Sequence, residues 1–230
     1  DASQQDGDAY LKNISLAVEN LDLSGAQVDE TLFNIKNLIK EENLTREQHM
    51  DIISILNNMI NRYDLGTLEL TELQFAEIQE TVTTLVDRSA FLFDTFNDSD
   101  QHHITCRIEE LMPDDYDSFE NQESQELTLE DFIISDENLP NIIIPSATLI
   151  EINYQYHLSH KLRLIFIYQT HPATVESTLL SLYFIDEESL PLNIYNLLNP
   201  IKISMPISDQ SRVNPMWHDK STGIWRDEGI

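Results

Sequence analysis

The spacing of apolar residues changes once along this chain, and that change constrains the fold more than any other feature. Up to about residue 93, apolar residues recur at steps of three and four, the spacing of one face of an α-helix. From Leu127 onward they recur at steps of two, the spacing of a half-buried strand. We therefore expect an α+β fold, with an N-terminal helical bundle followed by a C-terminal antiparallel β-sandwich.

The helical part divides into four amphipathic segments with short connectors, which predicts a small antiparallel bundle. Ser24-Gly25 separates the first two segments. The third and fourth begin with the capping boxes Thr45-Arg-Glu-Gln48 and Thr71-Glu-Leu-Gln74, in which hydroxyl and amide side chains bond the free N–H groups of a first turn. Leu70 and Phe75 are placed as a hydrophobic staple around the second box.

Residues 94–126 carry many carboxylates and few large apolar side chains, so we predict an acidic linker between a helical domain at 1–93 and a sandwich domain at 127–230. Within it, the segment from Ile104 to Met112 fits either a short helix or a strand. Asp94 to Asp100 offers oxygen ligands for calcium but lacks the EF-hand spacing and its glycine. We expect a solvated linker and no cofactor, with calcium as the alternative.

Several short strands are predicted in the second half. Phe132–Ile134 and 141–145 are apolar runs, and 162–168 is apolar on both faces, which indicates a strand covered on both sides. Residues 150–156 alternate between apolar and polar, which predicts a strand with one wet face. Two more alternating runs, 180–185 and 201–207, lie on either side of the acidic turn that begins at Asp186.

The only two tryptophans flank a polar stretch with one glycine near the end of the sequence. Large aromatics on either side of a tight turn often form a cross-strand pair in a hairpin. We therefore predict a hairpin that Trp217 and Trp225 clamp together.

The charge of the chain limits its partners. Lys and Arg number 13 against 41 Asp and Glu, which gives a formal net charge of −28. A surface of this sign repels nucleic acid and anionic membranes, and it attracts cations and basic partners. No run of about eighteen apolar residues occurs, so we expect no transmembrane helix and membrane attachment only through flanking segments.

The sequence offers little catalytic or metal-binding chemistry. With five glycines, it holds neither glycine-rich phosphate loop, and it lacks Gly-x-Ser-x-Gly and His-Glu-x-x-His. A single cysteine, Cys106, excludes an internal disulfide, and we expect it to be a buried thiol. His102, His103 and Cys106 have ligand-like spacing, but no second cluster completes a zinc site. We therefore expect no catalytic, cofactor-binding or metal-binding residues.

Three Asn-x-Ser/Thr sequons, at Asn13, Asn43 and Asn97, are candidate glycosylation sites and a weak indication of an extracellular glycoprotein. Asn43 and Asn97 lie in predicted connectors, where glycans fit, whereas Asn13 lies near the start of a predicted helix.

Two stretches together carry a family resemblance. They are Leu190-Pro-Leu-Asn-Ile-Tyr-Asn-Leu-Leu-Asn-Pro-Ile-Lys-Ile203 and Trp217-His-Asp-Lys-Ser-Thr-Gly-Ile-Trp225-Arg-Asp-Glu-Gly229. In this order they resemble the GAIN domain with a degenerate GPS motif, as in polycystin-like proteins and adhesion G-protein-coupled receptors. The resemblance implies a GPS-like structural clamp of Trp217, Trp225 and Gly229. It also implies core and turn positions at Leu197, Pro200 and Ile201.

The chain departs from that family at its two usual cysteines. Val213-Asn-Pro-Met216 stands where the first is expected, and Ile230 stands where the second is expected. The family's self-cleavage also needs a His-Leu-Ser/Thr tripeptide downstream of the second cysteine, and none follows Gly229 in this sequence. We therefore expect neither the GPS disulfide nor self-cleavage within this chain.

These observations leave three hypotheses. The first is a non-enzymatic extracellular module of a larger polycystin-like or adhesion-receptor-like membrane protein, with an architectural, force-bearing or contact role towards other protein modules. The second is a structural module of a large extracellular or ciliary-surface filament. The third is a soluble enzyme with an acidic surface, for which a cleft with convergent His and carboxylate groups of shifted pKa would argue.

Overall fold

A computed structural model describes residues 2–20, 23–41, 44–92, 96–98, 103–111, 131–135, 139–156, 162–170, 179–186, 188, 190–194, 197–205, 217–219 and 224–226. Within these ranges the chain forms five helices and nine strands, which confirms the α+β class. The helices are α1 Ala2–Asn20, α2 Gly25–Glu41, α3 Arg46–Asp64, α4 Glu72–Leu92 and α5 Ser146–Tyr156. The strands are β1 Phe96–Asp98, β2 Ile104–Glu110, β3 Phe132–Ile134, β4 Asn141–Ile144, β5 Arg163–Gln169, β6 Leu179–Ile185, β7 Lys202–Ser204, β8 Trp217–Asp219 and β9 Ile224–Arg226.

Both predicted capping boxes are formed. Thr45 and Gln48 exchange bonds at the start of α3, with N–O distances of 2.9 and 3.2 Å. Thr71 and Gln74 do the same at the start of α4, at 2.9 and 3.3 Å. Each exchange satisfies two N–H groups at a helix end and so fixes where the helix begins.

Helices α1 and α3 run side by side in the same direction. At one end, Gln48 Nε2 donates to Asp8 Oδ1 at 2.8 Å. At the other end, Arg62 donates to the carbonyl of Val18 at 2.6 Å. Both contacts join like ends of the two helices.

Helices α2 and α4 repeat this arrangement. Gln74 Nε2 donates to Asp29 Oδ1 at 2.7 Å near the start of both helices, and Arg88 donates to the carbonyl of Ile39 near their ends. The glutamine and the arginine are fourteen residues apart in α3 and again in α4, and the groups they contact are ten residues apart in α1 and again in α2. The same pair of interhelical hydrogen bonds, one from a glutamine and one from an arginine, therefore occurs twice in the bundle.

Helices α3 and α4 are antiparallel, as predicted for chain neighbours. The rings of Tyr63 and Phe75 meet edge to face with centroids 4.9 Å apart where α3 ends and α4 begins. His49 near the start of α3 contacts Ser89 near the end of α4. The polar and aromatic contacts thus lie at opposite ends of the pair.

The first sheet has the strand order β1-β2-β5-β6, with every pair antiparallel. All seven residues of β5 are buried, which confirms the prediction of a strand covered on both faces. One face packs against the bundle and forms a common core with it. That face carries Ile104, Cys106, Ile108, Ile165, Ile167 and Ile185.

The other face of this sheet contributes to a second core. Leu164, Phe166 and Phe184 pack there with residues of β3, β4 and α5. Strands β3, β4 and β7 form a second antiparallel sheet, in that order. The layers are therefore helices, the four-stranded sheet, and then the smaller sheet with α5. The finer expectation of a β-sandwich stays a prediction.

The predicted strand at 150–156 is wrong, because Ser146–Tyr156 is a helix. In a strand, Ile150, Ile152 and Tyr154 would share a face. In the structure Ile152 is fully buried, whereas Ile150 is 40% and Tyr154 80% exposed. Residues 149, 152 and 156 also satisfy a helical step of three and four, so this short segment fits both periods, and packing against the second core selects the helix.

Strand β2 is one of the two alternatives left open for the segment from Ile104 to Met112, whereas β1 lies where a solvated acidic loop was predicted. Ile104, Cys106 and Ile108 alternate along β2 and enter the bundle-side core. The carboxylates around them make the segment acidic on average, which conceals this period of two. Residues 112–130 lie outside the described part of the chain, and the division into domains stays a prediction.

Candidate functional site: the junction between bundle and sheet

The best-defined polar construction joins the helical bundle to strand β5 at both ends of that strand. At its start, Arg163 is only 4% exposed. Its guanidinium donates to the carbonyl of Ala90 in α4 at 2.7 Å and to the carbonyl of Asp186 beyond β6 at 3.2 Å. One side chain thus ties together a helix and two neighbouring strands.

The placement of this guanidinium follows from helix chemistry. The last four carbonyls of a helix have no partner within it, and the helix dipole makes that end negative. Ala90 belongs to the last turn of α4, so its carbonyl lies at the negative end of the helix, where a cation is favoured. A buried cation without partners is strongly unfavourable, which makes the position of α4 over β5 specific.

The far end of β5 is joined to the bundle by a chain of hydrogen bonds. Thr170 N donates to the carbonyl of His103 at 2.9 Å, and the side chains of these two residues are bonded at 2.9 Å. His103 N in turn donates to Asn57 Oδ1 of α3, also at 2.9 Å. Asn57 is 1% exposed, so its amide oxygen needs this partner.

A third link lies at the edge of the sheet. Tyr183 of β6 donates its hydroxyl to the carboxylate of Asp87 in α4. Burial, together with the nearby Asp87 carboxylate, raises the pKa of the Tyr183 phenol above its ordinary value, so the donor form is the stable one. Helices α3 and α4 are therefore joined to three strands of one sheet.

One further buried polar contact lies inside the bundle. The imidazole of His49 is fully buried and bonds Ser89 Oγ through Nδ1. Because Ser89 donates its own proton to the carbonyl of Leu85 at 2.9 Å, Nδ1 is assigned as the donor to Ser89. Burial, and secondarily the Arg88 cation, lower the pKa of His49 from 6.5 to about 4, so it is neutral at pH 7.

Of the cysteine and the two histidines considered for a metal, the structure describes Cys106 and His103. Cys106 is a buried thiol, as expected, within the bundle-side core. His103 is bonded to Thr170, and His102 lies outside the described residues. Among the residues that the structure describes, no group of three His, Cys, Asp or Glu could hold a metal ion.

The predicted C-terminal hairpin is present as the antiparallel pair β8–β9. Its register places Trp217 opposite Arg226 and Trp225 opposite His218, so the two tryptophans are not directly opposed. A register offset of one residue is enough to separate them. Gly229 lies outside the described residues, and the clamp itself stays a prediction.

The structure places the other residues named from the family resemblance near the second core. Leu197 and Ile201 pack against that core, which confirms their assignment as core positions. Pro200 is exposed, as a turn residue would be.

The three candidate glycosylation sites have different positions. Asn13 is exposed on α1. Asn97 belongs to β1, at the edge of the first sheet, rather than to the predicted connector. Asn43 lies outside the described residues, although Thr45 of the same sequon is the hydroxyl that caps α3.

Sequence reasoning missed the junction because its partners are far apart in the chain. Arg163 and Ala90 are separated by 73 positions, and no local pattern marks their contact. The repeated hydrogen-bond pair of the bundle does have a sequence pattern: Thr-x2-Gln-x13-Arg occurs at Thr45 and again at Thr71. A search for internal repeats would have found it.

No protein-family model matches the chain, and no curated protein matches its sequence. Within the described residues, none of the helices combines the length and the apolar character needed to cross a bilayer.

Proposed function

We propose that this chain is a non-enzymatic, GAIN-like extracellular module of a larger membrane protein, with an architectural and force-bearing role towards neighbouring protein modules. The observation that carries the proposal is the attachment of β5 to the bundle at both of its ends. The order of elements also supports it, since four helices precede antiparallel strands and a hairpin lies at the GPS-like motif.

A force-bearing role requires that the two halves do not separate before either unfolds. Strand β5 is the best placed to resist separation, because all seven of its residues pair with both β2 and β6. Its inward side chains share one core with the helices. Separation of bundle and sheet would therefore expose apolar surface and break the bonds of a buried guanidinium at the same time.

Single-molecule stretching of the full chain, held at its two ends, tests the mechanical role. We expect the bundle and the first sheet to unfold in one step. Arg163→Met should lower the force of that step, whereas Arg46→Met, which removes an exposed cation at the start of α3, should leave it unchanged. Separate unfolding of helices and strands in the unmodified chain would contradict the proposal.

The extracellular assignment has its own test in cells. The protein should carry N-glycans that a glycosidase removes. Each of the substitutions Asn13→Gln, Asn43→Gln and Asn97→Gln should lower the mass of the protein by one glycan. Asn43→Gln leaves the Thr45 cap intact, so it separates glycosylation from folding. A native protein with all three asparagines unmodified and no access to antibodies on unpermeabilised cells would contradict this part.

The alternative of a filament module predicts the same architecture, but it also predicts that copies of the chain associate with each other. Sedimentation of the full chain across a concentration series measures this self-association directly.

A further inference from the structure

A cleft of about 220 Å³ lies beside the junction, between α4 and the edge of the first sheet. Asp87 and Ala90 of α4, Tyr183 and Ile185 of β6, and Pro191 line it. Nothing in the proposed architectural role requires this opening. We propose that it is a binding site for an alkylammonium or alkylguanidinium group, as carried by a lysine or arginine side chain of a basic partner.

The size of the cleft limits what can enter. At about 30 Å³ per water, the space corresponds to roughly seven water molecules. Sites for drug-sized ligands span about 300–1,000 Å³, so this cleft has the size for a single side chain or a small amine. The Tyr183–Asp87 bond joins the helix wall of the cleft to its sheet wall.

The chemistry of the walls selects a cation with an aliphatic stem. Ala90, Ile185 and Pro191 are apolar and would contact methylene groups. Asp87 is exposed and, within the described part of the chain, has no ion-pair partner. Its carboxylate can therefore accept a charge-assisted bond from an entering cation.

One buried cation lies next to the cleft. The nearest cation placed by hydrogen bonds is Arg163, which is buried and donates to the Ala90 and Asp186 carbonyls. Its guanidinium is therefore already bonded to protein carbonyls, whereas Asp87 is exposed. The net charge of −28 raises the local concentration of cations at such a surface.

Titration of the full chain with butylammonium and with butylguanidinium, followed by amide chemical shifts, tests the proposal. We expect saturable shifts confined to the residues of the cleft. Asp87→Asn should weaken binding at least about tenfold, because it removes the charge while keeping the shape of the side chain. Asp64→Asn is the matched control, since Asp64 is exposed at the end of α3 and the change in net charge is the same.

Two further arms complete the experiment. Butanol, which has the same stem without the charge, should produce no saturable shift. A short acetylated peptide with one lysine should bind more tightly than butylammonium if a partner protein supplies the group, and equal affinities would assign the site to free amines. Equal weakening by Asp87→Asn and Asp64→Asn, or shifts spread over the whole acidic surface, would overturn the proposal.

Discussion

Acidification should weaken the helical bundle through His49. In the folded protein the pKa of His49 is lowered to about 4, chiefly because the imidazole is buried and secondarily because Arg88 is near. In the unfolded chain it is about 6.5. Since the pKa of His49 is lower in the folded protein, the contribution of the neutral imidazole to stability is complete above pH 6.5. That contribution is lost as the pH falls towards 4.

The size of this effect follows from the two pKa values. Each unit of difference corresponds to about 1.4 kcal/mol, so the difference of about 2.5 units amounts to about 3 kcal/mol below pH 4. At pH 5 the folded form is still mostly neutral while the unfolded form is protonated, and the loss is about 2 kcal/mol. This is a large part of the 5–15 kcal/mol that typically holds a domain together.

Urea unfolding at pH 7, 6 and 5 measures the effect if the variant His49→Asn is compared with the unmodified chain. Asparagine is neutral throughout this range and can still donate to Ser89. The 41 carboxylates titrate alike in both proteins, so the difference between the two unfolding free energies isolates His49. That difference should change by about 2 kcal/mol between pH 7 and 5. A difference that is constant to within about 0.5 kcal/mol would refute the burial argument.

Three other substitutions test single elements of the fold by chemical denaturation. Arg163→Met should destabilise the protein by about 3 kcal/mol, because a buried carbonyl and a partly buried one lose this donor, while Arg46→Met should change stability by less than about 0.5 kcal/mol. Thr45→Ala should cost about 1 kcal/mol through loss of the α3 cap, and Thr45→Ser should restore most of it. Gly66→Ala should cost about 1 kcal/mol, because Gly66 has a φ of 68°, although no other atom lies within 4 Å of the added Cβ. An equal loss of stability in Gly25→Ala, where φ is not positive, would contradict this reasoning.

Features encoded within a few neighbouring residues were predictable from the sequence. The box of Thr45 and Gln48 spans a single turn, so its pattern is complete in four letters. The strand around Phe166 was equally clear, because both of its faces are apolar. Element types follow from such patterns wherever the segment is long or its chemistry is unambiguous.

The helix α5 shows where local patterns fail. Leu149 and Ile152 fit a helical stripe, while Ile150, Ile152 and Tyr154 fit an alternating strand. Only packing decides between these readings, and the second core accepts the helical set. A strand here would have buried Tyr154, which the structure leaves exposed.

The junction could not be predicted, because its partners meet only in the folded chain. Arg163 lies in a strand whose other residues are almost all apolar, and nothing nearby reveals that a helix end approaches it. Asn57 is similar, since its partner His103 is 46 positions away. Buried polar residues are informative once a structure exists, because each must find a partner.

Native-state hydrogen exchange tests most directly whether bundle and sheet form one unit. The slowest amides of α3, such as those of Leu56 and Ile60, should exchange with the same free energy as those of Ile165 and Ile167 in β5. Both values should equal the free energy of global unfolding and show the same dependence on denaturant. Helical amides that open about 2 kcal/mol or more below the strand amides would show that the bundle unfolds alone, and the force-bearing role would fall with that result.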